Sequence, residues 1–592
     1  MRILVPLGVI ALIIILILIR NRQIVKRDSL QKLRDSWGKP VSRAFGPERM
    51  ENAAGYHRLM SEPESPSGSD QAASSVQVID DITWNDLDMD QVFRAADACV
   101  SSVGEEYLYE LFHRPFTAPE SLSGRRERIA FYIEDPDTAC EELNIFADLG
   151  RCRNCSFCET LHEISGAEHI SPAACALQFA LLIAGILMIV FHIPYGLLFT
   201  IVIAVFNLIT YFTKRSRASA PLQSVNYLVS LIRVSRRAVS RGTSPVTETL
   251  RHDITAALDS LRGISGLGLM ITAGGMRGSF IDGLLDYVRM LTHLDLLAFE
   301  LLRRRITSKL DPVDRLFADM GEWESSIILA SYLESLPAWC EADLPDTDTA
   351  GAADTSDAPV AGRADISGRR EAGGLTILNA SHPLLENAVP TGISLTRGVI
   401  ITGSNASGKS TFLKTAALSV LFAQCTGFAP AESYSAPFFR IYSSMSLKDD
   451  IMRQKSYYMA EILSLKRIQD AAALPGPSVI CFIDEVLRGT NTVERIAASA
   501  QLLRKFSEDG IMTFAATHDL ELAGLLRGSF ENRHFGEQMR DGDIVFTYEL
   551  KDGPALSRNA ISLLGRLGYD PAMVRAAEAM AERYEQSGEW SL

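Results

Sequence analysis

Gly403-Ser404-Asn405-Ala406-Ser407-Gly408-Lys409-Ser410 decides the fold of the C-terminal part of this chain. It fits G-x-x-x-x-G-K-[ST] in full, the spacing of a loop that cradles phosphates. Its flanks agree: Val399-Ile400-Ile401-Thr402 is a short β-branched strand leading in, and Thr411-Phe412-Leu413-Lys414-Thr415 opens a helix. Glycine lets backbone N–H groups close on phosphate oxygens, and the helix N-terminus adds a favourable dipole. In such a loop Lys409 reaches the β- and γ-phosphates and the Ser410 hydroxyl binds Mg²⁺. ATP and Mg²⁺ are therefore the expected ligands of Gly403, Ser404, Asn405, Ala406, Ser407, Gly408, Lys409, Ser410 and Thr411.

Downstream, Val479-Ile480-Cys481-Phe482-Ile483 is an apolar strand that runs into Asp484-Glu485. A carboxylate at a strand end can hold Mg²⁺, which assigns Asp484 to the metal beside Ser410. The next carboxylate can position or deprotonate an attacking water, which makes Glu485 the catalytic candidate. A third strand, Phe514-Ala515-Ala516, ends in Thr517-His518-Asp519, and His518 is placed as a γ-phosphate sensor. Alternation of short apolar strands and helices after residue 374 predicts an α/β P-loop domain, helices on both faces of a largely parallel sheet.

Together these segments resemble the MutS family of ABC-class ATPases. GSNASGKST is similar to that family's Walker A, IDEVLRGTNT to its Walker B and following segment, and ATHDLEL to its switch-histidine motif. The resemblance implies that Ser456, in RQKSYYMAEI, completes the partner's ATP site, so that the enzyme works as a homodimer. It also implies that His382, in Asn379-Ala380-Ser381-His382-Pro383, stacks on the adenine. The similarity is strong over 375–585, with a C-terminal helical part supporting dimer contacts, and weaker over 83–135. The resemblance implies DNA as a partner. Ahead of the core the sequence offers an anchor and a linker, so neither the family's mismatch-reading domain nor its connector domain is expected.

The rest of the chain has a different character. Of 592 residues 47% are hydrophobic and 22% charged, with a mean hydropathy of +0.09, so the apolar excess must be concentrated. Ile3 to Ile19 is one apolar run, followed by Arg20, Arg22, Lys26 and Arg27 rather than by a small-residue cleavage site. This predicts an uncleaved membrane anchor. A second block, Ala173 to Phe212, has no Asp, Glu, Lys or Arg and breaks at His192-Ile193-Pro194-Tyr195-Gly196, which predicts a transmembrane hairpin. The basic flanks put the ATPase part in the cytoplasm of a multi-pass protein of the cell membrane. The formal net charge of −14 gives no global field for nucleic acid, so DNA contact needs a local basic patch.

The expected organisation is an anchor (1–20), a linker (21–82), a helical MutS-core-like part (83–171), the hairpin (172–213) and a helical core or lever (214–340). A flexible acidic insert (341–373), the ATPase domain (374–545) and a helical dimerisation part (546–592) follow. Tyr107, Leu108, Leu111 and Phe112 read as the core side of a helix, and Arg233, Arg236, Arg237 and Arg241 as one solvated helix face. Cys152, Cys155 and Cys158, with His162 four residues on, could supply metal ligands, but one tight run is unusual for zinc and free thiols are the plainer reading. Two functions remain: a membrane-anchored ATPase acting on DNA in a repair-related role, or a membrane ATPase coupled to a protein partner or its own spans with no DNA role. A transporter of the ABC class is disfavoured, since no L-S-G-G-Q segment occurs.

Overall fold

In the computed structural model the described residues are chiefly 26–41, 45–61, 76–152, 155–166, 169–217, 219–264, 290–345, 374–404, 407–445, 457–540, 543–555 and 568–587. The run from Ile3 to Ile19, Asn405, Ala406, Ser456, most of the acidic insert and most of the glycine-rich stretch after Gly263 lie outside them. The chain divides into two compact units, a helical one (Met1–Pro66, Phe93–His113, Ser123–Ser335) and a sheet-bearing one (Ser67–Val92, Arg114–Leu122, Leu336–Leu592).

The helical unit contains α1 (Ser102–His113), α2 (Pro119–Glu134), α3 (Pro136–Phe146), α4 (Phe157–His162), α5 (Pro172–Val190), α6 (Gly196–Arg217), α7 (Ser219–Arg241), α8 (Glu248–Ser260), α9 (Leu294–Thr307) and α10 (Leu310–Glu334). Leu108, Leu111 and Phe112 are core residues as expected, but α1 is buried nearly all round, with Glu105, Glu106 and Glu110 inside as well. Those carboxyl groups are hydrogen-bonded, as buried polar groups require. Arg49 donates to Glu105, and Ser156 Oγ (2.8 Å) and the Phe157 N–H (2.6 Å) donate to Glu106. On α10, Glu322 accepts from Tyr107, from Arg125 at 2.6 Å and from Arg128.

The apolar block forms two helices joined by a turn at the expected break, where His192 and Tyr195 take left-handed backbone conformations. Pro172 starts α5 and Ser171 Oγ caps it. Both helices are long and apolar enough to cross a membrane, and large side chains such as Leu177, Val190, Leu197 and Ile209 are exposed along them. Their polar groups gather near the C-terminal end of α6: Asn207 donates to Leu291 O (2.9 Å), and Tyr211 donates to Asp295 (2.8 Å).

The second unit is built on six strands, β3 (Val399–Thr402), β5 (Arg440–Ser444), β6 (Val479–Asp484), β7 (Met512–Thr517), β8 (Glu531–Arg540) and β9 (Asp543–Asp552), preceded and interrupted by β1 (Leu375–Ala380), β2 (Thr391–Leu395) and β4 (Ser433–Ser435) of a small antiparallel sheet ordered β2-β1-β4. The main sheet runs β9-β8-β3-β7-β6-β5, parallel except for β9 at the edge. Near-continuous apolar strands such as VICFI and MTFAA suit a parallel sheet buried on both faces. Val479, Cys481 and Ile483 pack in one cluster with α12 (Tyr457–Ala472), α13 (Thr492–Glu508) and α14 (Leu520–Leu525). Alternation turns Ile480 and Phe482 to the other face, where they are equally buried. The helix α11 (Lys409–Thr426) contacts β6 and β7 but is absent from that cluster, so the sheet carries helices on both faces.

Two expected boundaries move. The division at 545/546 falls inside β9, because Ile544-Val545-Phe546-Thr547-Tyr548 continues an alternating β-forming run paired to β8. The core-like part expected from 83 is split, and its start belongs with the sheet unit. Gln77 bridges Ile441 through O and N (2.9 and 2.7 Å), Asp86 accepts from Ser443 Oγ (2.7 Å) and the Met445 N–H (2.8 Å), and Arg467 pairs with Asp80.

Candidate nucleotide site

Parallel pairing brings the carboxyl ends of β3, β6 and β7 to one edge, the usual place for a ligand in an open α/β sheet. Thr402 is level with Thr517, and Asp484 with Ala516. The loop after β3, the Asp484-Glu485 pair after β6 and His518 after β7 therefore meet.

Gly403 (φ +147°) and Gly408 (φ +105°) hold conformations that side chains rarely adopt. A Cβ on Gly403 would lie 3.0 Å from Ser407 Oγ and 3.2 Å from Phe535 O, and one on Gly408 would lie 3.0 Å from the Tyr548 ring. Gly408 caps α11, which starts at Lys409. Lys409 Nζ donates to Gly403 O and Ser404 O, both at 2.7 Å, which ties the loop to its own helix. Ser407 Oγ is buried with no hydrogen-bond partner among the described residues, a donor inside the loop that a phosphate oxygen would satisfy. Thr411 follows, exposed, on the first turn.

Ser410 Oγ donates to Asp484 Oδ2 at 2.6 Å. These are two oxygen ligands of the kind Mg²⁺ takes, already convergent, so the donor set fits the ion. Glu485 is left-handed (φ +61°) and its N–H is held by Ala516 O at 2.8 Å. Non-glycine residues in that region are uncommon, and such strain collects at functional positions. His518 Nδ1 lies 3.4 Å from Glu485 Oε1, and Arg488 Nε 3.0 Å from Oε2. The hydrogen bond to His518 is the main influence holding the Glu485 carboxyl below its usual range, with Arg488 and Lys409 adding to it against partial burial. The same hydrogen bond raises His518, and Asp519 adds to it. Arg495 grips Asp519 through two bonds (3.0 and 2.8 Å), fixing the residue beside the histidine. Glu485, Arg488, Arg495, Thr517, His518 and Asp519 line a pocket of about 160 Å³. A larger cavity, about 390 Å³, lies in the helical unit beside Arg236 and Arg262 and touches no expected site residue.

His382 does not line this pocket. It is 8% exposed, accepts from the Leu384 N–H at 3.3 Å, and burial together with the Lys414 charge pushes its imidazole down to about 4, so it is neutral. Lys414 itself pairs with Asp88. The residues that motif reading left without a role are Arg488, which also donates to Asp484 O at 2.6 Å, and Tyr548, whose ring covers Gly408. Arg488 stands in the quoted IDEVLRGTNT segment, whereas nothing local in the sequence marks Tyr548. Glu461 of α12, the helix that follows Ser456, accepts from the Arg488 N–H at 3.1 Å and so links that helix to the site.

Residues 399–585, which span all these groups except His382, match the family described as MutS domain V. Over this C-terminal part, the chain is similar to the MutS family. It is 31% identical over 211 residues to the DNA mismatch repair protein MutS of Thermus thermophilus, covering 35% of this chain and 26% of that protein. It is 33% identical over 189 residues to DNA mismatch repair protein MutS 2 of Haloarcula marismortui (31% and 20%), and 30% identical over 227 residues to MutS of Lactobacillus delbrueckii (36% and 26%). The chain thus spans about a quarter of the length of the curated relatives it matches.

Proposed function

We propose that the chain is a membrane-anchored MutS-like ATPase that hydrolyses Mg²⁺·ATP as a homodimer and couples the cycle to DNA. The observation that carries the reading is the 2.6 Å contact of Ser410 with Asp484, which joins the end of the phosphate loop to the end of β6 beside Glu485 and His518. The loop from Gly403 to Thr411, Asn405 and Ala406 included, binds the triphosphate through backbone N–H groups, and Lys409 balances the β/γ charge. Ser410 and Asp484 would hold Mg²⁺, which when bound supplies charge neutralisation at the phosphates. Glu485, kept ionised by His518 and Arg488, orients the attacking water and accepts its proton in an in-line displacement. His518 senses the γ-phosphate through its link to Glu485. Ser456 acts on the partner's nucleotide, and His382 borders the base.

The DNA role rests on the family and on the names of the relatives, which are mismatch repair proteins. The test is ATP turnover by the full chain in detergent with duplex, mismatched and branched DNA at low and high salt. Stimulation lost at high salt is expected, because phosphate contacts release counterions. A rate indifferent to every DNA rejects the DNA role. A second reading, an ATPase coupled to its own spans or to a protein partner, is favoured by α5 and α6. Their apolar sides are exposed, and polar groups of α6 lock onto Leu291 and Asp295 of the helical unit. In either case the protein is placed in the cell membrane with the nucleotide site in the cytoplasm.

A further inference from the structure

The cysteine cluster divides in the helical unit. Cys152 and Cys155 are hydrogen-bonded to each other, which draws the Cys155 thiol down to about 6 and pushes Cys152 up. Cys158 turns elsewhere. Ser156 caps α4, so Cys158 and His162, four residues apart, fall on one face of the helix. That face meets the N-terminal part of α10, where Phe317 stacks on Phe157 at 5.9 Å and Asp314 approaches His162 Nε2 at 2.8 Å. One ligand atom from each of Cys158, His162 and Asp314 lies within 4.8 Å of the other two.

We propose that Cys158, His162 and Asp314 form a binding site for a divalent transition-metal ion, zinc by ligand chemistry. A thiolate, an imidazole and a carboxylate are the three ligand types zinc takes, and tetrahedral bonds of about 2.0–2.3 Å set ligand atoms roughly 3.3–3.8 Å apart. Rotation of partly exposed side chains closes the remaining ångström: His162 is 24% and Asp314 34% exposed, so the ion enters from that side and water takes the fourth position. Cys158 forms the buried floor, 1% exposed. Its backbone is fixed, since Glu106 accepts from the N–H groups of Phe157 (2.6 Å) and Cys158 (3.3 Å) and from Ser156 Oγ. Acidic groups face the thiol, Asp314 and Glu159 among them, which favours a cation there. Binding replaces the thiol proton of Cys158 by the metal and releases that proton to solvent. The ion would staple α4 to α10 within the helical unit.

The probe is Co²⁺, titrated into the reduced, chelator-stripped full chain in detergent and followed by its near-ultraviolet thiolate band and its visible tetrahedral bands. One equivalent is expected to bind and to be displaced by Zn²⁺. Cys158→Ser should abolish the thiolate band. Losing an outer hydrogen-bond partner of a metal ligand costs about 10- to 100-fold in affinity. His162→Ala and Asp314→Asn, which remove ligands outright, should therefore cost at least about 100-fold. Cys152→Ser and Cys155→Ser should leave band and affinity unchanged. The proposal is overturned if the wild type gives no saturable band, if the band survives Cys158→Ser, or if it depends on Cys152 or Cys155. Should Cys158→Ser not fold, the near-isosteric Asp314→Asn decides alone: Co²⁺ affinity within about threefold of wild type overturns the site.

Discussion

Glu485→Gln separates catalysis from architecture at the candidate site. The change keeps side-chain size and removes one charge. Glu485 is held ionised by His518 at 3.4 Å and Arg488 at 3.0 Å, so at neutral pH the wild type is carboxylate and the variant loses the proton acceptor entirely. A positioned base contributes about 100- to 10,000-fold, or roughly 2.7–5.4 kcal/mol of barrier at 1.36 kcal/mol per decade. The structural loss is smaller. Arg488 is 35% exposed, and such a pair contributes only about 0.2–1 kcal/mol. Nucleotide affinity rests on the loop and Lys409 and should change by less than about fivefold. Phosphate release under single-turnover conditions, measured beside equilibrium ATP binding, gives both quantities. Turnover within about threefold of wild type refutes the role of Glu485. A parallel fall in binding would show that the residue shapes the pocket instead.

Further expectations follow from other contacts. His518→Ala removes the main influence holding Glu485 low, so the acid limb of a kcat–pH profile should move to higher pH; an unmoved limb means the two are not coupled. Gly408→Ala places a side chain at φ +105° and 3.0 Å from Tyr548, a strain of about 1–3 kcal/mol, and should lower both melting temperature and ATP affinity in calorimetry and binding assays. In the helical unit, Arg125→Ala leaves buried Glu322 with Arg128 and Tyr107 only, and breaking such a pair costs about 3–5 kcal/mol, the lower end applying here. Glu322 is depressed to about 2, so its contribution is full above the ordinary carboxyl value near 4.5 and is lost as pH falls toward 2. Acid unfolding followed by circular dichroism should therefore begin at higher pH in Arg125→Ala than in wild type.

What the sequence disclosed and what it hid follow from contact distance along the chain. The loop 403–411, the strand ending in Asp484-Glu485 and the strand ending in His518 are contiguous motifs, each placed by its own apolar run, and parallel pairing then carries them to one edge. The sequence alone reads Gln77, Asp80 and Asp86 as linker and helical core because their partners lie 357 to 387 residues away, at Ile441, Ser443 and Arg467, where no periodicity can signal them. Tyr548 reaches Gly408 through an edge strand whose pairing depends on β8. By spacing alone the cysteine run reads as one cluster. The helix start at Phe157 divides it, and Asp314, far along the chain, completes the part that can ligate.

Mg²⁺-dependent ATP hydrolysis by the purified full chain in detergent, wild type beside Lys409→Ala, tests the central claim most directly. In the proposed mechanism Lys409, held to Gly403 O, supplies the charge for the β- and γ-phosphates, so the wild type should turn over ATP and the variant should neither bind it well nor hydrolyse it. Equal hydrolysis by the two proteins, or none by the wild type at any Mg²⁺ concentration, would contradict the account.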